Sequence, residues 1–367
     1  MRLTTKAAVL RVPDGPFGIE DVVLDPIGPQ DLLVRVAGTG LCHTDLVARG
    51  FGPEAALLPA VLGHEGSGVV TAVGSEVTEL AVGDHVVMSF DSCDVCAQCR
   101  CGAPAYCAKF RESNVSGRRC DGSPGATGSD GTAVNSRWFA QSSFAGFAVA
   151  TQRNAVKVDP SLPLELLGPL GCSLQTGAGA VFNEMSLRPG QSIAVFGAGA
   201  VGLAAVMAAK IAGAADIVAV DMHKGRLDIA LELGATRTYP GGQEDLAARI
   251  MGGEPGMDHT LDTTAVPAVM ATAIQVLAPR GVAVLVGGGP GQLTIHPSLL
   301  AGRRLTYVLE GSAVPQEYIP TLIRHWREGR FPFDKLIRAY PLSEINQAEA
   351  DSLSGATIKP ILIPDGD

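Results

Sequence analysis

Residues 192–221 have the sequence SIAVFGAGAVGLAAVMAAKIAGAADIVAVD, and the fold class of the second half of the chain follows from them. A short apolar run leads into a glycine-rich turn, an alanine-rich helical segment and a second apolar run that ends at Asp221. Strands alternating with helices predict a parallel sheet that is covered on both faces. The segments HTLDTTA (259–265) and GVAVLVGGG (281–289) predict further buried strands. We therefore expect an α/β, doubly wound parallel sheet in this half.

The glycine-rich turn has the sequence GAGAVG and stands between the predicted strand and helix. In such a turn the first glycine makes the tight bend, the second lets backbone approach a pyrophosphate, and the third allows close helix–strand packing. The helix N-terminus adds partial positive charge. This context predicts a dinucleotide site formed by Gly197, Gly199, Ala200, Val201 and Gly202.

Asp221 ends the second strand, nineteen positions after Gly202. A carboxylate at this position would hydrogen-bond both ribose hydroxyls and repel a 2′-phosphate, so we expect NAD rather than NADP. The alternative is a surface aspartate beside an ordinary glycine-rich turn. Arg226 could flank the adenosine ribose, although an exposed helical arginine is an equally good interpretation.

The composition limits the classes of function. A chain of 367 residues suits two domains, and 46% hydrophobic residues are enough for large cores. The formal net charge of -9 argues against a nucleic-acid partner, which requires clustered Lys and Arg. No apolar run approaches the length that spans a membrane, and the N-terminal sequence lacks the features of a secretory signal. We expect a cytoplasmic protein, whose cysteines stay reduced.

The cysteines fall into two groups. The first group has the spacing Cys-x2-Cys-x2-Cys-x7-Cys and consists of Cys93, Cys96, Cys99 and Cys107. Four thiolates on one short loop can close a tetrahedral zinc site with no open position, which is a structural site. Such a cross-link would stabilise residues 91–140, which are poor in aliphatic side chains and are expected to form a long loop. Cys101 and Cys120 are then spare, although Cys101 could replace one of the four ligands.

The second group is dispersed along the chain and consists of Cys42, His64 and Cys172. Their spacing does not show that they meet in space. A buried cysteine is often only a small hydrophobic residue, and a single histidine is more often a core or surface residue than a ligand.

The resemblance to a known family resolves this ambiguity. The pattern Gly63-His64-Glu65-x2-Gly68-x5-Gly74-x2-Val77 resembles the zinc signature of the medium-chain alcohol dehydrogenases. The segment GLCHTD (40–45), the four-cysteine loop and the glycine turn follow in the order of that family. The resemblance covers essentially the whole chain.

This resemblance implies a division into domains. A GroES-like, β-rich catalytic domain would occupy residues 1–172 and include the structural zinc loop at 91–110. A Rossmann domain would occupy residues 173–309, and residues 310–367 would return to the catalytic domain. The family's active site lies in the cleft between the domains, and its members form homodimers or homotetramers.

The resemblance also implies the metal ligands. Cys42, His64 and Cys172 would bind a catalytic zinc, with water or the substrate alkoxide as fourth ligand, so the chain would hold two zinc ions. The polyol dehydrogenases of the same family usually have Glu where this chain has Cys172. The chain therefore looks like a member of the alcohol branch.

Neighbouring residues take further roles in the family. Thr44 would receive the alcohol proton, and Asp45 would accept a hydrogen bond from the nitrogen of His64 that does not bind the metal. Glu65 would lie just behind the zinc, as a transient ligand during exchange. Many relatives have a proton-relaying histidine five positions after the first ligand, but here Val47 stands there, so proton release should depend less on a side-chain base.

The remaining predicted residues concern the coenzyme. His43 and Lys359 match positions at which the family places basic groups on the pyrophosphate, and the alternative for each is a surface cation. The backbone of Val286 and Gly287, after the last Rossmann strand, should lie near the nicotinamide.

The expected substrate is a small primary alcohol. Several segments look most like the aryl, or benzyl, alcohol dehydrogenases, which act on aromatic and allylic primary alcohols: LPAVLGHEGSG (58–68), WFAQSSFA (138–145), LLGPLGCSLQTGAGA (166–180) and KFRESNVSG (109–117). Phe51, Trp138 and Phe139 could supply aromatic surface near the site, or could belong to the core. Two other functions share these features: a glutathione-dependent formaldehyde dehydrogenase, and a non-catalytic protein whose zinc loop binds a macromolecule.

Overall fold

The computed structural model describes residues 3–51 and 57–365, and the chain divides into two compact units. The first unit contains the chain up to Cys172, Val314–Thr321 and the chain from Leu336 onward. The second contains Ser173–Ala313 and Leu322–Lys335. The C-terminal return expected from residue 310 therefore begins at Val314 and is interrupted. The interruption has a physical cause, because the apolar side chains of Leu322–Lys335 are buried with the second unit.

The first unit is β-rich. Its strands are β1 (Leu3–Leu10), β2 (Phe17–Leu24), β3 (Asp31–Gly40), β4 (Ala60–Val61), β5 (Gly66–Val73), β6 (His85–Met88), β7 (Gly125–Gly128), β8 (Ala133–Asn135), β9 (Phe147–Thr151), β10 (Ala155–Val158), β17 (Ile337–Pro341) and β18 (Lys359–Ile363). Its helices are α1 (His43–Arg49), α2 (Ala97–Arg100), α3 (Phe110–Asn114) and α10 (Ile345–Leu353).

These strands form a barrel and a sheet. The closed barrel has the order β1-β2-β7-β8-β4, and the seven-stranded sheet has the order β10-β6-β5-β3-β18-β17, with β9 also paired to β3. Strand β3 is the centre of the sheet, and its side chains Leu32, Val34 and Val36 belong to the core cluster. Strand β18 pairs with β3 through Ile361 and Gly40, which brings the C-terminal strand next to the segment that follows β3.

Residues 91–140 are more ordered than a long loop. They include α2, α3 and the antiparallel pair β7–β8, which is part of the barrel. The expectation of a continuous loop is therefore wrong for residues 125–135. Ala126 and Val134 face each other in this pair, and both are buried. These few aliphatic side chains are therefore enough to attach two short strands to the barrel.

The second unit is built on a six-stranded sheet in the order β13-β12-β11-β14-β15-β16, and all its neighbouring strands are parallel. The strands are β11 (Ser192–Phe196), β12 (Asp216–Asp221), β13 (Arg237–Pro240), β14 (Met257–Asp262), β15 (Leu277–Leu285) and β16 (Arg304–Tyr307). The helices are α4 (Ser173–Gly179), α5 (Ala200–Ala212), α6 (Lys224–Leu233), α7 (Leu246–Met251), α8 (Pro267–Gln275) and α9 (Pro315–Arg327), of which α9 begins in the first unit.

The predicted fold class is confirmed: a β-rich GroES-like domain and a Rossmann domain. Helix α5 carries mostly Ala and other apolar residues and is buried from Gly202 to Ala209, as expected of a helix packed on a parallel sheet. Within residues 3–51 and 57–365, no helix has both the length and the apolar character that crossing a membrane requires.

Candidate metal centres and coenzyme site

The start of α1 fixes the first predicted ligand. Cys42 is the N-cap residue, in extended conformation, and Asp45 Oδ2 accepts a hydrogen bond from its backbone N–H at 3.3 Å. A carboxylate in the first turn that accepts a hydrogen bond from the N-cap amide stabilises the start of the helix at that residue. Thr44 lies on the same turn, with its Oγ1 3.9 Å from Cys42 Sγ.

His64 is fully buried, and its two ring nitrogens have different surroundings. Nδ1 lies 2.9 Å from Asp45 Oδ1, whereas Nε2 has no hydrogen-bond partner among the described residues. A buried nitrogen without a partner is costly, and a bound metal ion would satisfy it.

Three distant parts of the sequence meet at this histidine. One ligand atom from each of Cys42, His64, Glu65 and Cys172 can be chosen so that all four lie within 4.8 Å of one another, and all four residues are buried. Cys172 follows a 3₁₀ turn, and a Cβ on Gly171 would lie 2.1 Å from Met88 O, so only glycine permits this close approach.

The electrostatics of the cluster favour a cation. A hydrogen bond with Cys172 holds the pKa of the Cys42 thiol well below its ordinary value, against the effect of burial. Burial would lower the pKa of His64, but Asp45 and Cys42 together raise it well above its ordinary value. Two thiols and one imidazole are the donor set that suits Zn²⁺, so these residues fit a zinc ion.

Glu65 is paired with Lys359, a contact that the sequence did not predict. Lys359 Nζ lies 2.5 Å from Glu65 Oε2 and donates a hydrogen bond to Leu41 O at 3.1 Å. Burial raises the pKa of Glu65, and Lys359 opposes this rise. A Cβ on Gly40 would lie 2.0 Å from Glu65 Oε2, so the carboxylate fits only beside a glycine. Lys359 is 3% exposed and is not a surface cation; its predicted role on the pyrophosphate stays a prediction.

The segment that follows β8 lies against Asp45 and the candidate ligand His64, which the sequence did not predict. Trp138 Nε1 donates a hydrogen bond to Asp45 Oδ1 at 3.0 Å. The ring of Phe139 stacks on His64 with 4.6 Å between centroids, and Gln141 Nε2 donates to His64 O at 2.9 Å. The sequence drew attention to Trp138 and Phe139 as residues of either a pocket or the core, and in the structure both are buried.

This segment contains backbone strain. Phe139, Ala140 and Ser142 have positive φ angles of 48°, 53° and 50°. Each such residue costs on the order of 1–3 kcal/mol and persists only where surrounding contacts impose it, a situation common at functional sites.

The four-cysteine cluster lies around α2. Cys96 Sγ is 3.5 Å from Cys99 Sγ, and Cys93 Sγ is 4.0 Å from Cys99 Sγ. A tetrahedral zinc with four sulfur ligands requires separations of about 3.8 Å, so these residues fit one. Backbone N–H groups of Ala108 and Cys99 lower the pKa of Cys96 to about 6.

Cys101 does not belong to this cluster. It is exposed, and its sulfur donates to Gln98 O at 3.2 Å. The four ligand atoms that approach one another come from Cys93, Cys96, Cys99 and Cys107, so the alternative with Cys101 as a ligand is wrong.

The glycine turn precedes α5 in the second unit. Gly197 has a φ of +93°, and a Cβ there would lie 2.2 Å from Thr263 Oγ1. A Cβ on Gly202 would lie 1.8 Å from Gly197 O, whereas nothing lies within 4 Å of a Cβ on Gly199. The first and third glycines are thus required by packing, and the second faces open space at the helix N-terminus formed by Ala200 and Val201.

Asp221 is buried at the end of β12 and already has backbone partners. Its Oδ2 accepts from Ala198 N at 2.7 Å, within the glycine turn, and its Oδ1 accepts from His223 N at 2.8 Å. Arg226 Nη1 lies 3.9 Å from the same carboxylate. The histidine at position 223, which also places Nδ1 3.1 Å from Asp221 Oδ1, was not predicted.

Of the other predicted coenzyme residues, Val286 and Gly287 belong to the second unit and His43 belongs to the first. Val286 N donates to Asp262 O at 3.0 Å, and Gly287 O accepts from the hydroxyl of Tyr307 at 3.2 Å. Both residues come directly after β15, which is the strand that pairs with β14. His43 is exposed at the start of α1 in the first unit.

Comparison with known proteins places this arrangement in a family. The family described as "Alcohol dehydrogenase GroES-like domain" matches residues 28–160, and "Zinc-binding dehydrogenase" matches residues 200–327. The chain is 44% identical to geraniol dehydrogenase of Castellaniella defragrans over 368 residues, covering 98% of both chains.

Two solved structures are similar over the whole chain. An alcohol dehydrogenase zinc-binding domain protein from Burkholderia ambifaria has 46% identity and a TM-score of 0.95, with 100% of both chains covered. Benzyl alcohol dehydrogenase from Acinetobacter calcoaceticus has 41% identity and a TM-score of 0.92, covering 99% of this chain and 100% of its own. With the motifs, the fold and these relatives in agreement, the chain belongs to the zinc-binding, medium-chain alcohol dehydrogenase family.

Proposed function

We propose that this protein is a zinc-dependent, NAD-linked dehydrogenase that interconverts primary alcohols and aldehydes, with a preference for aromatic and allylic alcohols. The observation that supports it most is the buried cluster of Cys42, His64 and Cys172, in which His64 Nε2 has no hydrogen-bond partner among the described residues. Three protein ligands leave a fourth position for substrate, which is the pattern of catalytic zinc sites.

The chain's own residues would hold two metal ions. Cys42, His64 and Cys172 would bind the catalytic ion, and the four cysteines around α2 would bind the structural one. A bound catalytic zinc supplies Lewis acidity that lowers the pKa of an alcohol oxygen. Asp45 Oδ1 would accept a hydrogen bond from Nδ1–H of His64, which leaves the Nε2 lone pair for the metal.

Proton transfer would use Thr44. Its hydroxyl lies 3.9 Å from Cys42 Sγ, close to the metal ligands, so Oγ1 can take the proton of an alcohol held there. Val47, further along α1, has no ionisable group, so proton release beyond Thr44 would not use a side-chain base at that position. Glu65 is held by Lys359 and remains available as a transient ligand.

The coenzyme would bind the second unit. The open side of Gly199 and the N-terminus of α5 suit a pyrophosphate, and a bound nicotinamide coenzyme supplies the hydride acceptor. Asp221 places a buried carboxylate beside the glycine turn, where it would repel a 2′-phosphate and favour NAD.

The substrate preference rests on two observations. Geraniol and benzyl alcohol, named in the relatives, are both primary alcohols with the hydroxyl-bearing carbon next to an sp² carbon. In this chain, buried aromatic side chains lie beside the proposed histidine ligand: Phe139 packs on His64, and Trp138 packs on Phe139, which places flat apolar surface next to the metal site.

The test is a coenzyme-reduction assay on purified protein of known metal content. We expect two zinc ions per chain and faster reduction of NAD with benzyl alcohol or geraniol than with ethanol. NADP should be a poor acceptor. Equal rates with ethanol would contradict the substrate preference, and activity only with formaldehyde and glutathione would replace the proposed substrate class.

A further inference from the structure

One carboxylate oxygen of Asp45 has more hydrogen-bond donors around it than it has lone pairs. Asp45 Oδ1 lies 2.9 Å from His64 Nδ1, 3.0 Å from Trp138 Nε1 and 3.1 Å from Gly63 N. A carboxylate oxygen offers about two lone-pair sites, so three donors must share them. The indole therefore competes with the imidazole for the same oxygen.

We propose that Trp138 is a positioning residue that limits how strongly Asp45 draws on the Nδ1 proton of His64. A carboxylate bonded to a ligand histidine raises the basicity of the nitrogen that binds the metal. Competition from the indole weakens this effect, so His64 would donate less charge and the metal would remain a stronger Lewis acid. This inference rests on the proposed metal site at Cys42, His64 and Cys172.

The structure holds the indole in place. Ser142 Oγ accepts a hydrogen bond from Trp138 N at 2.8 Å and donates one to Val61 O at 2.7 Å. The next residue, Phe139, has a positive φ and packs its ring on both Trp138 and His64. Trp138 is itself 1% exposed, so water does not replace its bond to Asp45.

The sequence offers a matched control. The chain has two tryptophans, and the second, Trp326, also donates its Nε1–H to a carboxylate, Asp334 Oδ1, at 2.8 Å. Trp326 belongs to the second unit and is outside the metal cluster. Trp138→Phe and Trp326→Phe therefore remove the same kind of hydrogen bond from two different places.

The test uses cobalt in the catalytic site. We expect Trp138→Phe to shift the cobalt absorption bands and to release the metal to a chelator more slowly, because the bond from His64 to Asp45 becomes stronger. The change should be about tenfold or less, since even removing a partner of a ligand histidine changes metal affinity by about 10–100-fold. Trp326→Phe should match the unmodified protein in both. Unchanged bands in Trp138→Phe, or faster metal release, would show a purely structural role and overturn the proposal.

A second measurement needs no folded Trp138 variant. The two indole N–H groups give two NMR signals, which Trp326→Phe assigns. When cadmium replaces zinc, the Trp138 signal should move and the Trp326 signal should not; no movement of the Trp138 signal would overturn the proposal. If the unmodified protein bound no metal at Cys42, His64 and Cys172, the proposed function itself would fail. That result differs from the two results that would overturn the inference, because both of those require a bound metal.

Discussion

Two buried carboxylates, Asp45 and Asp221, organise the two candidate sites. Asp45 links Cys42 to His64, because its Oδ2 accepts a hydrogen bond from the backbone N–H of Cys42 and its Oδ1 contacts Nδ1 of His64. Asp221 joins the end of β12 to the glycine turn through Ala198 N. Each side chain therefore fixes local backbone beside a candidate site, so neutralising either one should have a specific effect.

At Asp221 the expected effect concerns coenzyme choice. Asp221→Asn keeps the size of the side chain and removes its charge, with Arg226 left nearby. Because like-charge contacts cost on the order of several kcal/mol, we expect the preference for NAD over NADP to fall by at least about tenfold. The ratio of kcat/KM values for the two coenzymes measures this change.

A matched variant lies on the same strand. Asp216 stands at the start of β12 and pairs with Arg237 instead of the glycine turn. Asp216→Asn should leave the coenzyme ratio unchanged. Equal ratios in Asp221→Asn and the unmodified protein would mean that the carboxylate does not set the preference.

The strand–turn–helix element from β11 to α5 shows three different uses of glycine. Gly197 adopts a positive φ, Gly202 packs against Gly197 O, and Gly199 borders open space. The sequence motif already predicts a different role for each of the three glycines. The geometry separates those needed for folding from the one whose absent side chain leaves room for a ligand.

This difference predicts opposite results for two alanine variants. Gly202→Ala should lower the free energy of unfolding by about 1–3 kcal/mol, because its Cβ would overlap a backbone oxygen. Gly199→Ala should fold with normal stability and bind NAD more weakly. Denaturant unfolding and coenzyme titration measure the two effects, and a destabilised Gly199→Ala protein would contradict this assignment.

At the scale of the whole molecule, both metal-ligand sets belong to the first unit and the glycine turn belongs to the second. The ligands of the first set come from a helix start, a loop before β5 and a turn before α4. The second set lies within a short segment around α2. Metal binding is therefore expected to stabilise local parts of one unit.

Removal of the metal by a strong chelator should show this directly. Hydrogen exchange should accelerate in residues 91–114 and around Cys42, His64 and Cys172, because the cysteine sulfurs and His64 Nε2 would lose the metal ions that hold them together. Exchange in β11 and β12 should change least. Cys101→Ser, a variant of an exposed thiol outside the cluster, should respond as the unmodified protein does. Uniform acceleration over both units would contradict a local role for the metals.

The sequence by itself determined the features whose signal is local. The glycine turn, the alternation of strands and helices, and the spacing of Cys93, Cys96, Cys99 and Cys107 each follow from residues that are close in the chain. The family signature around His64 extended this to the dispersed ligands. The GroES-like and Rossmann fold class predicted from these patterns is confirmed.

Only the tertiary structure decided which side chains far apart in the sequence form hydrogen bonds and ion pairs with one another. Asp45 and Trp138 are 93 positions apart, and their contact depends on how the strained turn after β8 packs. Lys359 reaches Glu65 because β18 pairs with β3, a register that no local pattern encodes. Local patterns report backbone preferences, whereas hydrogen bonds between buried side chains depend on the packing of the whole first unit.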